Sequence, residues 1–214
     1  SIAVLGGIKG EKIEDGLTGF LKTYSAIIPG GIVLNNILKA KGYEIGDSVI
    51  KDKKEDFVKK VTAMMPDIDK KVILPYKVII ARKQNDSFID KDTIDIQKGV
   101  PKGFMIVDFE LSSLSKVYFE LCVKNKGQIV MAGTPGIYTS GFRTATDPIL
   151  DYMNQNSENS IVLGGDTAQE ITAFGKTFNG TASTGGGSSL HYLAHGDLPI
   201  LKALKENKIA FPNG

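Results

Sequence analysis

The sequence has few of the residues that nucleic-acid binders need. Of its 26 basic residues only Arg82 and Arg143 are arginine, and the net charge is +2. A nucleic-acid-binding domain usually carries a basic excess on one face, and arginine supplies the two-pronged contacts that read bases and clamp phosphates. The composition therefore argues against a nucleic-acid partner.

Cysteine is nearly absent, and long apolar runs and a leader are missing. The single cysteine, Cys122, excludes an internal disulfide and is typical of a reducing compartment. It lies between Leu121 and Val123 in a helical pattern, which favours a small buried apolar side chain over a nucleophile. No run approaches the roughly 18 apolar residues of a membrane span, and no charged and then apolar leader opens the chain. We therefore predict a cytoplasmic protein without a membrane span.

What the sequence does contain is an alternation of short apolar runs with amphipathic segments. The runs are rich in β-branched residues, which is typical of strands buried on both faces. They lie at 2–5, 26–28, 72–74, 78–81, 105–107, 129–131 and 161–162. Apolar residues spaced by three and four predict helices within 13–24, 33–38, 57–64, 114–121 and 149–153. Repeated strand–helix units predict one α/β domain over residues 1–214, with a three-layer Rossmann-like fold in which helices cover both faces of a parallel sheet.

Glycine is the one residue in excess, with 24 among 214 residues. In a parallel sheet the carboxyl ends of the strands share one edge, where ligands of open α/β folds bind. Glycine there lets the backbone approach a ligand and frees N–H groups at helix N-termini, which bind anions. Tight turns explain any one glycine pair, but five such turns at one edge favour a shared phosphate-binding rim. The glycines that follow apolar runs are Gly6, Gly7, Gly30, Gly31, Gly133, Gly136, Gly164, Gly165, Gly185, Gly186 and Gly187.

Two common phosphate-binding motifs are absent from the sequence. No segment matches the P-loop pattern that ends in Gly-Lys-Ser/Thr. The loop after the first apolar run reads Gly-Gly-Ile-Lys-Gly-Glu at 6–11, instead of the Gly-x-Gly-x-x-Gly of dinucleotide-binding proteins. A nicotinamide-dependent dehydrogenase is therefore disfavoured.

Asp166 and two lysines are the charged candidates at this rim. Asp166 follows a glycine pair at the start of a predicted helix, so it either caps that helix or holds Mg²⁺, which neutralises phosphate oxygens during phosphoryl transfer. Lys9 and Lys12 follow the first strand and project toward the same edge, where they offset phosphate charge. We expect such a site to act by positioning and electrostatic stabilisation.

Several segments together resemble the C-terminal, nucleotide-binding domain of phosphoglycerate kinase, from Ile2 to about Leu204. They follow one another in the order found in that family. They are Gly-Gly-Ile-Lys at 6–9 with Lys12 behind it, Gly-Gly at 30–31, Leu-Lys-Ala-Lys-Gly-Tyr-Glu-Ile-Gly-Asp-Ser at 38–48, Gly-Gly-Asp-Thr at 164–167 and Ser-Thr-Gly-Gly-Gly-Ser-Ser-Leu at 183–190.

The resemblance implies a glycolytic enzyme that transfers a phosphoryl group between 1,3-bisphosphoglycerate and ADP, with Mg²⁺ and ADP or ATP as cofactors. By this resemblance Lys12, Gly165 and Gly186 are the catalytic residues, with Lys12 contacting the transferring phosphoryl group, and Asp166 binds Mg²⁺. Lys9 contacts the nucleotide phosphates, and amides near Thr167 and in the triple-glycine loop cradle them. Gly30, Gly31 and Ile137 line the adenine slot. The implied nucleotide-binding residues are Gly6, Gly7, Lys9, Gly30, Gly31, Gly133, Ile137, Gly164, Thr167, Gly185 and Gly187.

The sequence departs from that family at several positions of the nucleotide site. Thr139 stands where the family has the glutamate that holds the ribose hydroxyls, and Ala132 stands where it has an asparagine. Pro29 and Leu163 replace third glycines, and the family's Gly-Leu-Asp-x-Gly-Pro appears as Ile-Val-Asp-Phe-Glu-Leu at 106–111. The alternative function is therefore a catalytically inactive, kinase-derived domain that acts as a binding or scaffold module.

The family's N-terminal half, which binds phosphoglycerate, has no counterpart in these 214 residues. We therefore expect the partners to be an adenine nucleotide and either a separate N-terminal domain or other subunits. Closure of two domains normally excludes water from a phosphoryl-transfer site, so the isolated domain is expected to be inactive.

His191 and His195 are four residues apart on a predicted helix, a spacing that places both on one face and suits a metal ion. No third ligand is evident in the sequence, and the family has no metal there. We therefore interpret them as surface histidines.

Overall fold

The computed structural model describes residues 1–52 and 55–196. The predicted end of the resemblance near Leu204 lies outside these residues. The elements in chain order are β1 (Ile2–Leu5), a π-helical segment (Lys12–Leu17), α1 (Thr18–Thr23), β2 (Ala26–Pro29), α2 (Gly31–Ala40), β3 (Lys51–Asp52), β4 (Glu55–Asp56), α3 (Val58–Ala63), α4 (Met65–Lys71), β5 (Lys77–Gln84), β6 (Ser87–Asp95), β7 (Met105–Phe109), α5 (Ser113–Lys124), β8 (Ile129–Ala132), α6 (Thr146–Gln155), β9 (Ser160–Leu163), α7 (Gly165–Ala173), β10 (Thr181–Ser183) and α8 (Gly186–His195), with 3₁₀ turns at Ile96–Lys98, Tyr138–Ser140 and Ser157–Asn159. None of the helices in the described part of the chain has the length and apolar character needed to cross a bilayer.

A five-stranded parallel sheet forms the centre of the domain, in the order β10-β9-β8-β1-β2. Alternate residues of a strand point to opposite faces, and in β1 both sets are buried. Ile2 and Val4 join an apolar cluster with α5, α6 and α7, whereas Ala3 and Leu5 join one with α1, α3, α4 and α8. The predicted three-layer Rossmann-like fold is thus confirmed.

Two of the predicted parallel strands belong to a second, antiparallel sheet. The runs at 78–81 and 105–107 lie in β5 and β7, and this sheet has the order β6-β5-β7. The prediction was wrong because a central antiparallel strand that packs against a core is as apolar as a parallel one. Val78 and Ile80 of β5 both join the larger core.

The predicted strand at 72–74 is reduced to a single parallel bridge. Val72 pairs with Ile27 of β2, and Ile73 N donates a hydrogen bond of 2.9 Å to Ile27 O. The segment therefore continues the parallel sheet past β2 by only one residue pair.

Helix α5 exists where it was predicted, but it buries a different face. The residues whose spacing predicts the helix, Leu114, Val117, Tyr118 and Leu121, are all exposed. The buried side chains are Ser115, Phe119 and Cys122, and Phe119 stacks on Tyr152 of α6 with ring centroids 5.2 Å apart. Cys122 is buried, as predicted, and burial raises the pKa of its thiol.

Candidate functional site

The glycine-rich loops surround one cleft at the carboxyl edge of the parallel sheet, with a volume of about 590 Å³. Most of the predicted site residues line it, and Gly6, Gly30 and Gly185 do not. The predicted residues in the cleft wall are Gly7, Lys9, Lys12, Gly31, Gly133, Ile137, Gly164, Gly165, Asp166, Thr167, Gly186 and Gly187.

Gly6 and Gly30 lie behind the cleft, where neighbouring loops touch. A Cβ at Gly6 would lie 2.1 Å from Thr134 O, and a Cβ at Gly30 would lie 2.6 Å from Pro135 Cα. Gly7 N also donates to Thr134 O at 3.2 Å. These glycines let the loops after β1, β2 and β8 pack backbone against backbone, so they shape the wall without facing it.

The N-termini of α7 and α8 converge on the cleft. The first intrahelical bond of α7 runs from Ala168 N to Gly164 O (3.1 Å), and that of α8 runs from Ser189 N to Gly185 O (2.7 Å). In each helix, the three N–H groups before this first bond have no carbonyl acceptor within the helix. A Cβ at Gly186 would lie only 3.4 Å from Gly164 Cα. Two helix N-termini therefore lie side by side, an arrangement that favours an anion.

Asp166 does not cap α7. The N-cap residue is Gly164, with a φ of 102° and no side-chain cap bond, and Asp166 is the second residue of the helix. Its carboxylate is exposed in the cleft wall. The capping interpretation is therefore wrong.

Glu170 is a second carboxylate in the cleft wall, which the motifs did not indicate. It lies one helical turn after Asp166 and lines the same cleft. Burial first, and then the charge of Asp166, raise the pKa of Glu170. The i, i+4 spacing of two carboxylates is the signal that could have identified this pair.

The two predicted lysines differ in environment. Lys9 is exposed, whereas Lys12 begins the π-helical segment and is buried. Lys12 Nζ lies 3.2 Å from Glu11 Oε1. A buried ammonium group requires such a partner. Glu11 also lies beside the start of α8, because a Cβ at Gly187 would be 2.9 Å from its Oε2.

Part of the cleft wall is apolar. Met105, Ile106 and Val107 of β7 line the cleft together with Ile137, whose N–H donates to Val107 O at 2.9 Å. Sequence reasoning missed these three β7 residues, because it placed their strand in the parallel sheet. Thr139, at the position of the family's glutamate, also lines the cleft.

Asp108 holds the loop that carries Ile137 and Thr139. Its buried carboxylate accepts hydrogen bonds from Thr144 N (2.6 Å to Oδ2), Phe109 N (2.8 Å to Oδ1) and Ala145 N (3.4 Å to Oδ1). Burial raises its pKa to about 6, although the three N–H bonds oppose that shift.

The raised pKa of Asp108 predicts a pH-dependent stability. Since the folded pKa of about 6 exceeds an unfolded value of about 3.9, the native state binds the extra proton between pH 4 and 6. Stability from this residue is therefore present at pH 4 and is lost as pH rises through 6, by roughly 2–3 kcal/mol. Urea unfolding of the wild type and Asp108→Asn across this range measures it. We expect the free energy of unfolding of the wild type to rise relative to that of the variant as pH falls. A difference that does not change with pH would contradict the raised pKa of Asp108.

These features define the class of the protein as a Rossmann-like α/β domain with a glycine-rich cleft at the carboxyl edge of its parallel sheet. The family model for phosphoglycerate kinase matches residues 1–196. The chain therefore belongs to the phosphoglycerate kinase family.

Relatives of known name agree with this assignment. The phosphoglycerate kinase of Pseudothermotoga lettingae is 27% identical over 209 residues, and that of Thermosipho africanus is 28% identical over 213 residues. Each alignment covers 97% of this chain and 52% of the relative. The chain thus spans about half the length of these curated relatives.

Solved structures of the same family share the fold. The phosphoglycerate kinase from Coxiella burnetii matches with a TM-score of 0.74 and 24% identity, over 96% of this chain and 52% of that one. The enzyme from Pyrococcus horikoshii OT3 matches with a TM-score of 0.67 and 24% identity, over 99% and 53%.

Proposed function

We propose that this chain is the nucleotide-binding domain of a phosphoglycerate kinase. In this role it binds Mg²⁺ with ADP or ATP and supports phosphoryl transfer between 1,3-bisphosphoglycerate and ADP, a step of glycolysis. The observation that carries the proposal is the meeting, in one cleft, of two helix N-termini, two lysines and a carboxylate pair.

The phosphate end of the cleft has the donors that a polyphosphate requires. Helices α7 and α8 both begin at the cleft, where Gly164 and Gly186 meet, and the N–H groups of a first helical turn are left free to bind an anion. Lys9 and Lys12 add positive charge in the same wall. Phosphoryl transfer depends on positioning and charge stabilisation more than on covalent chemistry, so this donor set suits that reaction.

Asp166 and Glu170 are the residues that would hold Mg²⁺. Burial first, and then the charge of Asp166, raise the pKa of Glu170, and a hard cation held by both carboxylates would offset their repulsion. Oxygen ligands on an exposed helical turn also suit an ion that keeps several waters. Bound Mg²⁺ supplies neutralisation of the charge on the phosphate oxygens.

The apolar wall suits the nucleotide base. Ile137, Met105 and Val107 form one side of the cleft, and planar bases gain from burial against apolar side chains. Thr139 offers one hydroxyl where the family has a carboxylate. We therefore propose binding of the ribose by weaker, neutral hydrogen bonds.

The phosphoglycerate-binding half would come from outside these 214 residues. The cleft is open to solvent, and phosphoryl transfer benefits from closure that excludes water. Because the relatives are about twice as long as this chain, we propose that an N-terminal domain completes the active site.

Titration calorimetry of the chain with ADP tests the nucleotide site. We expect a Kd for ADP below about 1 mM in the presence of Mg²⁺ and a higher Kd when EDTA replaces Mg²⁺. Asp166→Asn should weaken MgADP binding about tenfold and reduce the dependence on Mg²⁺. Asp86→Asn, the same change in the exposed turn between β5 and β6, is the matched control and should bind like the wild type.

An inactive binding or scaffold module is the alternative, and the family assignment does not favour it. Absence of MgADP binding at millimolar concentration would contradict the proposed function and support that alternative. If both Asp166→Asn and Asp86→Asn bind MgADP like the wild type, the proposed nucleotide site stands, but the assignment of Asp166 to Mg²⁺ is overturned.

A further inference from the structure

A cluster of two histidines and one aspartate lies between α8 and the π-helical segment. His191 Nδ1 is 2.9 Å from Asp15 Oδ1, and His195 Nε2 is 3.4 Å from the same oxygen. The three candidate ligand atoms lie within 4.8 Å of one another. Asp15 was not evident from the sequence as a third ligand, because it is 176 positions away from His191. The interpretation as ordinary surface histidines therefore missed a converging set of side chains.

The backbones that carry this cluster are held close together by glycine. A Cβ at Gly16 would lie 3.4 Å from Leu190 Cδ1, and a Cβ at Gly19 would lie 2.4 Å from Ala194 Cβ. Asp15 precedes the first of these glycines, and the two histidines directly follow the two α8 residues. Since Leu190 and Ala194 are buried, the cluster occupies the rim of a packed interface and its geometry is fixed from beneath.

We propose that Asp15, His191 and His195 bind a divalent transition-metal ion, of which Zn²⁺ is the best match. Tetrahedral ligands about 2.0–2.1 Å from Zn²⁺ stand about 3.3 Å apart, which is close to the 2.9 and 3.4 Å that separate the two histidine nitrogens from Asp15 Oδ1. Two imidazole nitrogens and one carboxylate oxygen suit Zn²⁺, whereas Mg²⁺ and Ca²⁺ prefer sets made of oxygen alone. Water completes the coordination on the exposed side, because His195 is exposed.

Bound metal would join two segments that begin at the glycine-rich cleft. The π-helical segment starts at Lys12, and α8 starts at Gly186. A bond from Asp15 through the ion to both histidines would tie these two segments together. The site would therefore cross-link the π-helical segment and α8 through residues other than those proposed to bind Mg²⁺ and nucleotide.

The sequence makes a metal titration unusually specific. The chain contains only two histidines, so imidazole resonances of an untagged protein report this cluster alone. Zinc chloride added to ¹⁵N-labelled protein should shift both imidazole spectra and saturate at one ion per chain. The melting temperature should rise by roughly 5–10 °C at a free Zn²⁺ concentration about 100 times Kd.

Two conservative variants assign the ligands. Asp15→Asn and His195→Gln keep side-chain size, and each should weaken Zn²⁺ binding at least about tenfold, since even residues outside the ligand set change metal affinity 10–100-fold. Asp86→Asn should bind Zn²⁺ like the wild type, and magnesium chloride should shift neither imidazole.

Three results would overturn the proposal. They are unchanged imidazole spectra at 100 equivalents of Zn²⁺, binding that shifts only one histidine, and Zn²⁺ affinity that survives Asp15→Asn and His195→Gln. None of these results bears on MgADP binding, so the Zn²⁺ site and the proposed function fail or succeed separately.

Discussion

Gly31→Ala is expected to destabilise the domain by about 3 kcal/mol or more and to abolish MgADP binding. Gly31 has a φ of +49°, and a Cβ there would lie 2.1 Å from Gly7 O. The added methyl group meets backbone and cannot turn aside, so overpacking of about 1–3 kcal/mol adds to about 1–2 kcal/mol for the left-handed conformation. The clash also pushes Gly7 out of the cleft wall and breaks the 2.9 Å bond from Ile32 N to Gly7 O.

Gly42→Ala is the matched control for this substitution. Gly42 follows the same helix and has a φ of +85°, and a Cβ there would meet nothing within 4 Å. The Gly42→Ala variant should therefore lose only the stability that the left-handed conformation costs, about 1–2 kcal/mol, and should bind MgADP like the wild type. Urea unfolding and calorimetry measure both effects. Equal losses in the two variants would show that contact with Gly7 contributes nothing.

Four strands of the parallel sheet, β1, β2, β8 and β9, were predictable because they are short, mostly apolar and followed by helical spacing. The fifth strand, β10, was missed because its three residues are small or polar and mostly exposed. β1, β2 and β8 lie within a residue of their predicted positions. The antiparallel sheet was not predictable in the same way, because β6 is polar and largely exposed and gives no apolar run. Because β6 could not be recognised as a neighbouring strand, the sequence of β5 did not show whether it pairs in a parallel or an antiparallel sheet.

The glycine-rich part of the cleft was predictable from glycines placed after strands, since the carboxyl ends of parallel strands share one edge. Two replacements of third glycines also make structural sense, because Pro29 and Leu163 are the last residues of β2 and β9. The remaining contributors reach the cleft through tertiary packing. Glu11 depends on how α8 lies against the π-helical segment, and the apolar wall depends on β7.

The choice between capping and metal binding at Asp166 shows the limit of local reasoning. A carboxylate near a helix start fits both roles, but a capping residue must occupy the N-cap position, and Asp166 lies two positions after it. Gly164 adopts φ 102° and is itself the N-cap residue, so the helix begins before the carboxylate could cap it. The backbone conformation of Gly164 thus excludes the cap, and the binding of Mg²⁺ by Asp166 stays a prediction.

Lys12→Met is expected to lower the kcat of phosphoryl transfer about 10²–10³-fold, while MgADP affinity changes less than about threefold. The assay uses the whole protein that the gene encodes. Lys12 is buried, and its ammonium group lies 3.2 Å from Glu11 Oε1, so its charge is held in place before any substrate binds. A fixed charge stabilises developing charge more than a mobile, solvated one does, and this difference grows once a second domain closes the cleft and excludes water. Methionine keeps most of the unbranched apolar side chain and removes the ammonium group together with its bond to Glu11 Oε1.

Lys9→Met and Lys22→Met separate this effect from a general loss of positive charge. Lys9 lines the same cleft but is exposed, so its loss should raise the Kd for MgADP and leave kcat nearly unchanged. Lys22 is exposed in the last turn of α1 and should change neither quantity. Because the three substitutions remove the same charge, a kcat loss confined to Lys12→Met points to its position. Similar kcat losses in Lys12→Met and Lys9→Met would instead mean that net charge at the cleft governs the rate.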